Sequence, residues 1–175
     1  MHKLRRPDSL DPLNEICSVI GDTQNKIMIE VGCYIGESTR VWASNFKKVY
    51  ALDPWLKGKG YDSSDVVSES MSIEVEYEFD KNLKDFNNVS KIVDFSYNFS
   101  KILANQSVDF IYIDACHQYK DVLQDIKLFL PKVKSGGYIG GHDYNPPTPG
   151  VIQAVNECFD RKQIFSDSSW IHYIL

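Results

Sequence analysis

Polar side chains recur where apolar runs of this sequence end: Glu30 before a glycine loop, Asp53, Asp94 with Ser96, Asp114 with His117, and His142 with Asp143 and Tyr144. The segment IMIEVGCYIGES carries the most information. An apolar run from Ile27 to Val31 holds one acid, Glu30, then opens into a loop with glycines at 32 and 36 before a helical pattern starts near Ser38. Glycines let backbone approach a ligand closely, and a helix start offers N–H groups that lack intrahelical partners. The glycine spacing is G-x-x-x-G, whereas a dinucleotide pyrophosphate calls for G-x-G-x-x-G. An acid ahead of the loop suits a cationic ligand group better than a phosphate. Asp53, 23 residues beyond Glu30, is placed to hold two ribose hydroxyls. These features read as a cradle for a nucleoside that carries an amino acid.

Alternating strands and helices must position these groups. After a loose arm of ten residues, Leu13, Ile16, Val19 and Ile20 fall at helical spacing and predict a short cap helix. Strands are expected at 27–31, in KVYALD ending at Asp53, in VSKIVDF, in VDFIYID ending at Asp114, and in GGYIGGHDY. Helices are expected from about Ser38 to Asn45, from Phe99 to Ala104, from Val122 to a stop at Pro131, and in VIQAVNECF. Gly, Ser, Asp and Lys crowd Pro54 to Ser70, so residues 54–72 read as a mobile loop. From Met71 to Phe79 strict alternation suggests a strand, yet Val75, Phe79, Leu83 and Phe86 form a helical stripe. Glutamates at 74, 76 and 78 disfavour a strand, so helix is the reading chosen. KQIFSD and SWIHYIL, parted by Asp-Ser-Ser, read as an antiparallel hairpin. Repeated β-α units imply an α/β protein with a parallel sheet covered on both faces. Ligands of such sheets bind at the carboxyl ends of the strands, which gathers the polar groups onto one rim.

Composition sets outer bounds. At 175 residues and 20.1 kDa, 1–175 is read as one domain, with arm and cap in residues 1–25. A net charge of −5 and a pI near 5.3 argue against a large nucleic-acid surface. Four cysteines at 17, 33, 116 and 158 form no C-x-x-C pair, as expected of reduced intracellular thiols. Without a secretory signal or an apolar span, the expectation is a soluble cytoplasmic protein that does not enter membranes.

Taken together, EVGCYIGES, ALDPW, VDFIYIDACHQY and GGYIGGHDY resemble the class I S-adenosylmethionine-dependent methyltransferases, in particular the small-molecule O-methyltransferase branch (methyltransferase domain 24-like) that includes macrolide-sugar and catechol enzymes. The resemblance runs from about Ile27 to Leu175. It implies a Rossmann-like, doubly wound, seven-stranded and mostly parallel sheet with the C-terminal antiparallel hairpin as its last two strands. It further implies that Glu30 meets the methionine amine, and that Gly32, Tyr34, Gly36 and Ser38 lie along the methionine end of S-adenosylmethionine. Asp53 would bind ribose, Trp55 would cover ribose or adenine, Ser96 would border adenine, and Asp114 would contact the cofactor. Magnesium-dependent relatives carry acids after the fourth and fifth strands. Here Asp114 and Asp143 match, but His142 takes the place of an acid, which weakens magnesium and admits manganese, iron or zinc at Asp114, Asp143 and His142.

Methyl transfer needs an aligned nucleophile and removal of its proton. His117, where catechol-type relatives carry a catalytic lysine, is the first candidate base, and His142 is its rival. An imidazole with an ordinary pKa near 6.5 suits that task. The acceptor is expected to be a small molecule. The short cap leaves open a homo-oligomer in which a partner chain covers the substrate. Three other classes compete. A nicotinamide oxidoreductase lacks its glycine fingerprint. A metal-dependent hydrolase could use Asp114, His117, His142 and Asp143. A cofactor-binding or partner protein without catalysis would fit a missing substrate lid.

Overall fold

The computed structural model describes residues 11–55 and 69–175, without the side chains of 69–72. The N-terminal arm and most of the expected 54–72 loop therefore lie outside the described residues. Helix α1 (Asp11–Ile20) precedes strand β1 (Ile27–Val31), helix α2 (Glu37–Asn45) and strand β2 (Lys48–Leu52). Helix α3 (Glu69–Leu83), strand β3 (Val89–Ile92), helix α4 (Ser96–Ile102) and strand β4 (Val108–Ile113) follow. Helix α5 (Tyr119–Phe129), strand β5 (Val133–Gly141), helix α6 (Pro149–Cys158) and the strands β6 (Gln163–Ile164) and β7 (Trp170–Tyr173) complete the chain. The seven strands form one sheet in the order β3-β2-β1-β4-β5-β7-β6. Pairings among the first five strands are parallel, and β7 runs antiparallel to β5 and β6.

Strand alternation divides the core into two layers. Ile29 and Val31 of β1, Ile111 and Ile113 of β4, and Ile139 of β5 pack on α4, α5 and α6. Val122, Ile126 and Phe129 supply the buried stripe of α5 at helical spacing. Met28, Val49, Phe110 and Tyr112 face the other way, onto α1 and α2. There Trp42 meets Phe46, Phe110 and Tyr112 with ring centroids 5.0–6.2 Å apart. Burial of each such ring is worth about 1.5–3 kcal/mol, so this aromatic block anchors α2 firmly under β1 and β4. Val75, Phe79 and Leu83 bring α3 onto Cys33, Ile35 and Trp55, which confirms the helical stripe.

The differences from the expected elements have local causes. Helix α3 already begins at Glu69, inside the span read as loop. Strand β3 stops at Ile92 instead of reaching Phe95, because Asp94 Oδ1 accepts hydrogen bonds from the Phe95 N–H (2.7 Å) and Asn98 Nδ2 (3.0 Å) and starts α4 early. Strand β5 ends at Gly141 rather than Tyr144, since Asp143 turns the chain at a φ of 61°. Val19, placed in the cap stripe by spacing, is exposed.

Candidate functional site

Strand order reverses between β1 and β4, and the loops after these two strands meet there. Gly32 has a φ of +86°, and a Cβ on it would lie 2.0 Å from the Asp114 carbonyl oxygen. Only a glycine lets the loop cross the end of β4 so closely. Gly36, at φ +82°, opens α2 against Leu83 and Phe79 of α3. The loop is tied down from β2. Asp53 Oδ2 accepts hydrogen bonds from the backbone N–H groups of Cys33 (2.9 Å) and Tyr34 (3.1 Å), and Oδ1 accepts one from Trp55 N–H (2.8 Å). Trp55 Nε1 in turn donates to the Tyr34 carbonyl (2.9 Å). Tyr34 and Trp55 hold φ angles of 50° and 38°, a strain which these bonds sustain. The Tyr34 ring is half exposed, whereas the Trp55 ring is buried against Phe79 with Lys91 over its face.

Glu30 shares the parity of Met28 and so points at α2, where it has no exposed surface. Thr39 Oγ1 donates to Oε2 and Trp42 Nε1 to Oε1 (3.0 Å), and the buried Ser38 adds a third hydrogen bond. Burial pushes the carboxyl up to about 7; the three hydrogen bonds lower it, and the charge of Asp114 adds to the rise. The carboxylate thus fastens the first turns of α2. The partly buried Ser96 hydrogen-bonds to Asp125 of α5, whose carboxyl burial pushes up to about 6 against that hydrogen bond.

At the ends of β4 and β5 the structure gathers Asp114, His117 and Asp143, with one ligand atom from each all within 4.8 Å of one another. His117 Nε2 lies 2.8 Å from Asp143 Oδ2. Backbone strain aims the Asp143 carboxylate, and its carbonyl is held by Asn145 N–H (2.8 Å) and Thr148 Oγ1. His142 falls outside this trio. Its Nδ1 lies 3.3 Å from the same Asp143 oxygen, on the side where its Nε2 faces Asp167 at 3.9 Å. Burial works to raise the Asp143 carboxyl, but hydrogen bonds and charge from His117 and His142 outweigh it and hold it well below the usual carboxylate range. A narrow recess beside the trio is lined by Asp114, His117, Val122, His142, Val151 and Trp170.

Sequence reasoning missed the supports. Thr39 and Trp42 were legible in principle, because Glu30 lies on the α2-facing parity of β1. Asp167 was read only as part of a turn. It accepts hydrogen bonds from the N–H and Oγ of Ser169 (2.9 Å each), and Ser169 Oγ pairs with the buried Tyr112 hydroxyl at 2.7 Å. The hairpin is thereby pinned to β4 two residues before Asp114.

Comparison with known proteins gives this geometry a context. Residues 29–144, two thirds of the chain, match the family described as a methyltransferase domain. A segment of 52 residues is 40% identical to uncharacterized protein R132 of Acanthamoeba polyphaga mimivirus, covering 29% of this chain and 24% of that protein, so the match spans about a quarter of the relative. The O-methyltransferase NovP superposes with a TM-score of 0.72 at 16% identity, over 93% of this chain and 78% of its own. SMU.1697c of Streptococcus mutans, in complex with SAH (S-adenosylhomocysteine), does so with a TM-score of 0.64 at 15% identity over 97% of each chain. At such identities the likeness shows a shared fold.

Proposed function

The chain belongs to the class I S-adenosylmethionine-dependent methyltransferases, and we propose that it methylates a hydroxyl group of a small molecule. One observation carries this reading: Gly32 packs directly on the Asp114 carbonyl, so the glycine loop and the Asp114–His117–Asp143 trio share one rim. A sulfonium methyl donor lying along Gly32, Tyr34, Gly36 and Ser38 would face an acceptor held at the trio. Asp53 would meet the ribose hydroxyls while holding the loop amides. Trp55 and Ser96 would bound the nucleoside from behind, and Glu30 would act through α2.

The acceptor oxygen attacks the methyl carbon, the carbon–sulfur bond breaks with its electrons staying on sulfur, and the hydroxyl proton leaves. Two chemistries at the trio serve that last need. With side chains alone, the proton passes to His117, which Asp143 steadies. The donor set also fits a divalent cation held by Asp114 and Asp143. Such an ion, when bound, lowers the pKa of a coordinated hydroxyl. Residues 1–175 are taken as one catalytic domain that works in the cytoplasm.

A metal-dependent hydrolase would use the same trio, and a non-catalytic cofactor binder would use the loop alone. One assay separates all three. Purified protein is incubated with S-adenosylmethionine labelled at the methyl group and a panel of phenols, catechols and sugars. Label transferred to oxygen supports the proposal. Binding of S-adenosylhomocysteine without transfer to any acceptor favours the non-catalytic reading, and absence of binding defeats both.

A further inference from the structure

We propose that Asp114, His117 and Asp143 hold a transition-metal ion of the manganese, cobalt or zinc class in preference to magnesium, with His117 as its nitrogen ligand and His142 outside the coordination shell. This deepens the methyl-transfer reading and rests on it for the ion's role beside the acceptor, though not for its binding.

The argument begins with spacing. Ligand atoms about 2.1 Å from a common ion lie roughly 3 Å apart when adjacent and about 4.2 Å apart when opposite. His117 Nε2 and Asp143 Oδ2, hydrogen-bonded at 2.8 Å, are spaced like adjacent ligands, and their shared proton would leave when an ion binds. With all three atoms inside 4.8 Å, closing on an ion asks for shifts of roughly half an ångström.

Chemistry then selects the ion. Magnesium takes oxygen ligands in near-ideal octahedral geometry and keeps its waters, whereas imidazole suits manganese through zinc. The trio includes an imidazole at the place where an all-oxygen set would be needed. The expected set of Asp114, Asp143 and His142 is thereby revised.

The supports point the same way. Asp143 holds its carboxylate through a left-handed backbone, fixed by Asn145 and Thr148. His142 contacts the Asp143 carboxylate from the flank and has Asp167 at its other ring nitrogen. Asp167 is in turn fixed by Ser169 and Tyr112. A hydrogen-bonded partner behind a ligating carboxylate orients it, and its loss weakens affinity without removing a ligand.

The test uses the full chain, stripped with chelator and desalted, with manganese, cobalt and magnesium salts as probes. Calorimetry should show one site for cobalt and manganese, and magnesium in hundredfold excess should fail to displace either. Pulsed electron paramagnetic resonance of the manganese form should show coupling to a ligated nitrogen. His117→Ala should lose that coupling and weaken binding at least tenfold, while His142→Gln should keep the coupling. Absence of a site in the wild type, displacement by equimolar magnesium, or nitrogen coupling that survives in His117→Ala and disappears in His142→Gln would each overturn the proposal. Melting shifts with S-adenosylhomocysteine, recorded on every variant, report folding and the cofactor site separately. Their loss in the wild type would count against methyl transfer and leave the metal result standing.

Discussion

The carboxylate of Asp53 lies 2.9 Å from the backbone nitrogen of Cys33, and one oxygen serves Cys33 and Tyr34 together. An acid at the end of one strand thereby sets the shape of the loop after its neighbour. Asp53 is buried, so these bonds form in a medium where a charged acceptor counts for more than it does in water.

Asp53→Ala should therefore lower stability as well as cofactor affinity. Each charge-assisted hydrogen bond lost is worth about 1.5–3 kcal/mol, less whatever water recovers. Thermal melts should drop clearly, and calorimetry with S-adenosylhomocysteine should show weakening of tenfold or more, in the range of about 1.4 kcal/mol upward. A variant that melts like the wild type would mean that the loop keeps its shape without this bracket.

Gly32→Ala and Gly21→Ala make a matched pair. Both glycines have positive φ, at +86° and +63°, but a Cβ at 21 meets nothing within 4 Å whereas one at 32 runs into the Asp114 carbonyl. The strain common to both is about 1 kcal/mol. Gly21→Ala should fold and bind S-adenosylhomocysteine normally. Gly32→Ala should part the loop from β4 and lose ligand-induced stabilisation. Equal behaviour of the two in a thermal-shift titration would contradict the close packing.

Glu30 gives a pH dependence of definite sign. Its carboxyl rises from 4.5 to about 7 on folding, chiefly through burial. The folded chain thus holds a proton that the unfolded chain has released. The stability this confers is complete below about 4.5 and disappears as pH rises through about 7, an effect of roughly 3 kcal/mol. Urea unfolding between about pH 5 and pH 8 should show stability falling as pH rises, and Glu30→Gln should flatten that fall. Asp125, raised from 3.8 to about 6, adds a smaller slope of the same sign that the Glu30→Gln substitution leaves in place. Parallel curves for the two proteins would show that Glu30 ionises freely in the folded state.

The strands and the rim were legible because apolar runs ending in acids encode both the buried sheet and its polar edge. VDFIYID could be little else than a central parallel strand, and Asp114 came with it. The alternation from Met71 to Phe79 pulled toward a strand, yet Val75 and Phe79 at helical spacing won, since α3 has a core to cover on one side only. What stayed hidden was direction. Whether Glu30 faced the cleft or α2 depended on strand parity relative to a helix whose position the sequence alone did not fix. The grouping of His117, rather than His142, with Asp114 depended on the left-handed turn at Asp143, and a local deviation of that kind leaves no periodic signal.

Removal of metal should separate chemistry from cofactor binding. The glycine loop meets the trio at the backbone contact of Gly32 with Asp114, and the bonds that hold the loop to Asp53 use none of the trio's side chains, so stripping an ion from the trio should leave them intact. Chelation should then abolish methyl transfer to a hydroxylated acceptor while changing S-adenosylhomocysteine affinity less than about threefold, a difference of roughly 0.7 kcal/mol. Manganese should restore the rate, and restoration should fail in Asp114→Asn, which keeps the size of the side chain but removes its charge. Transfer at an undiminished rate in chelator would return the proton to His117 acting alone with Asp143, and the pair at 2.8 Å would then be the whole of the base.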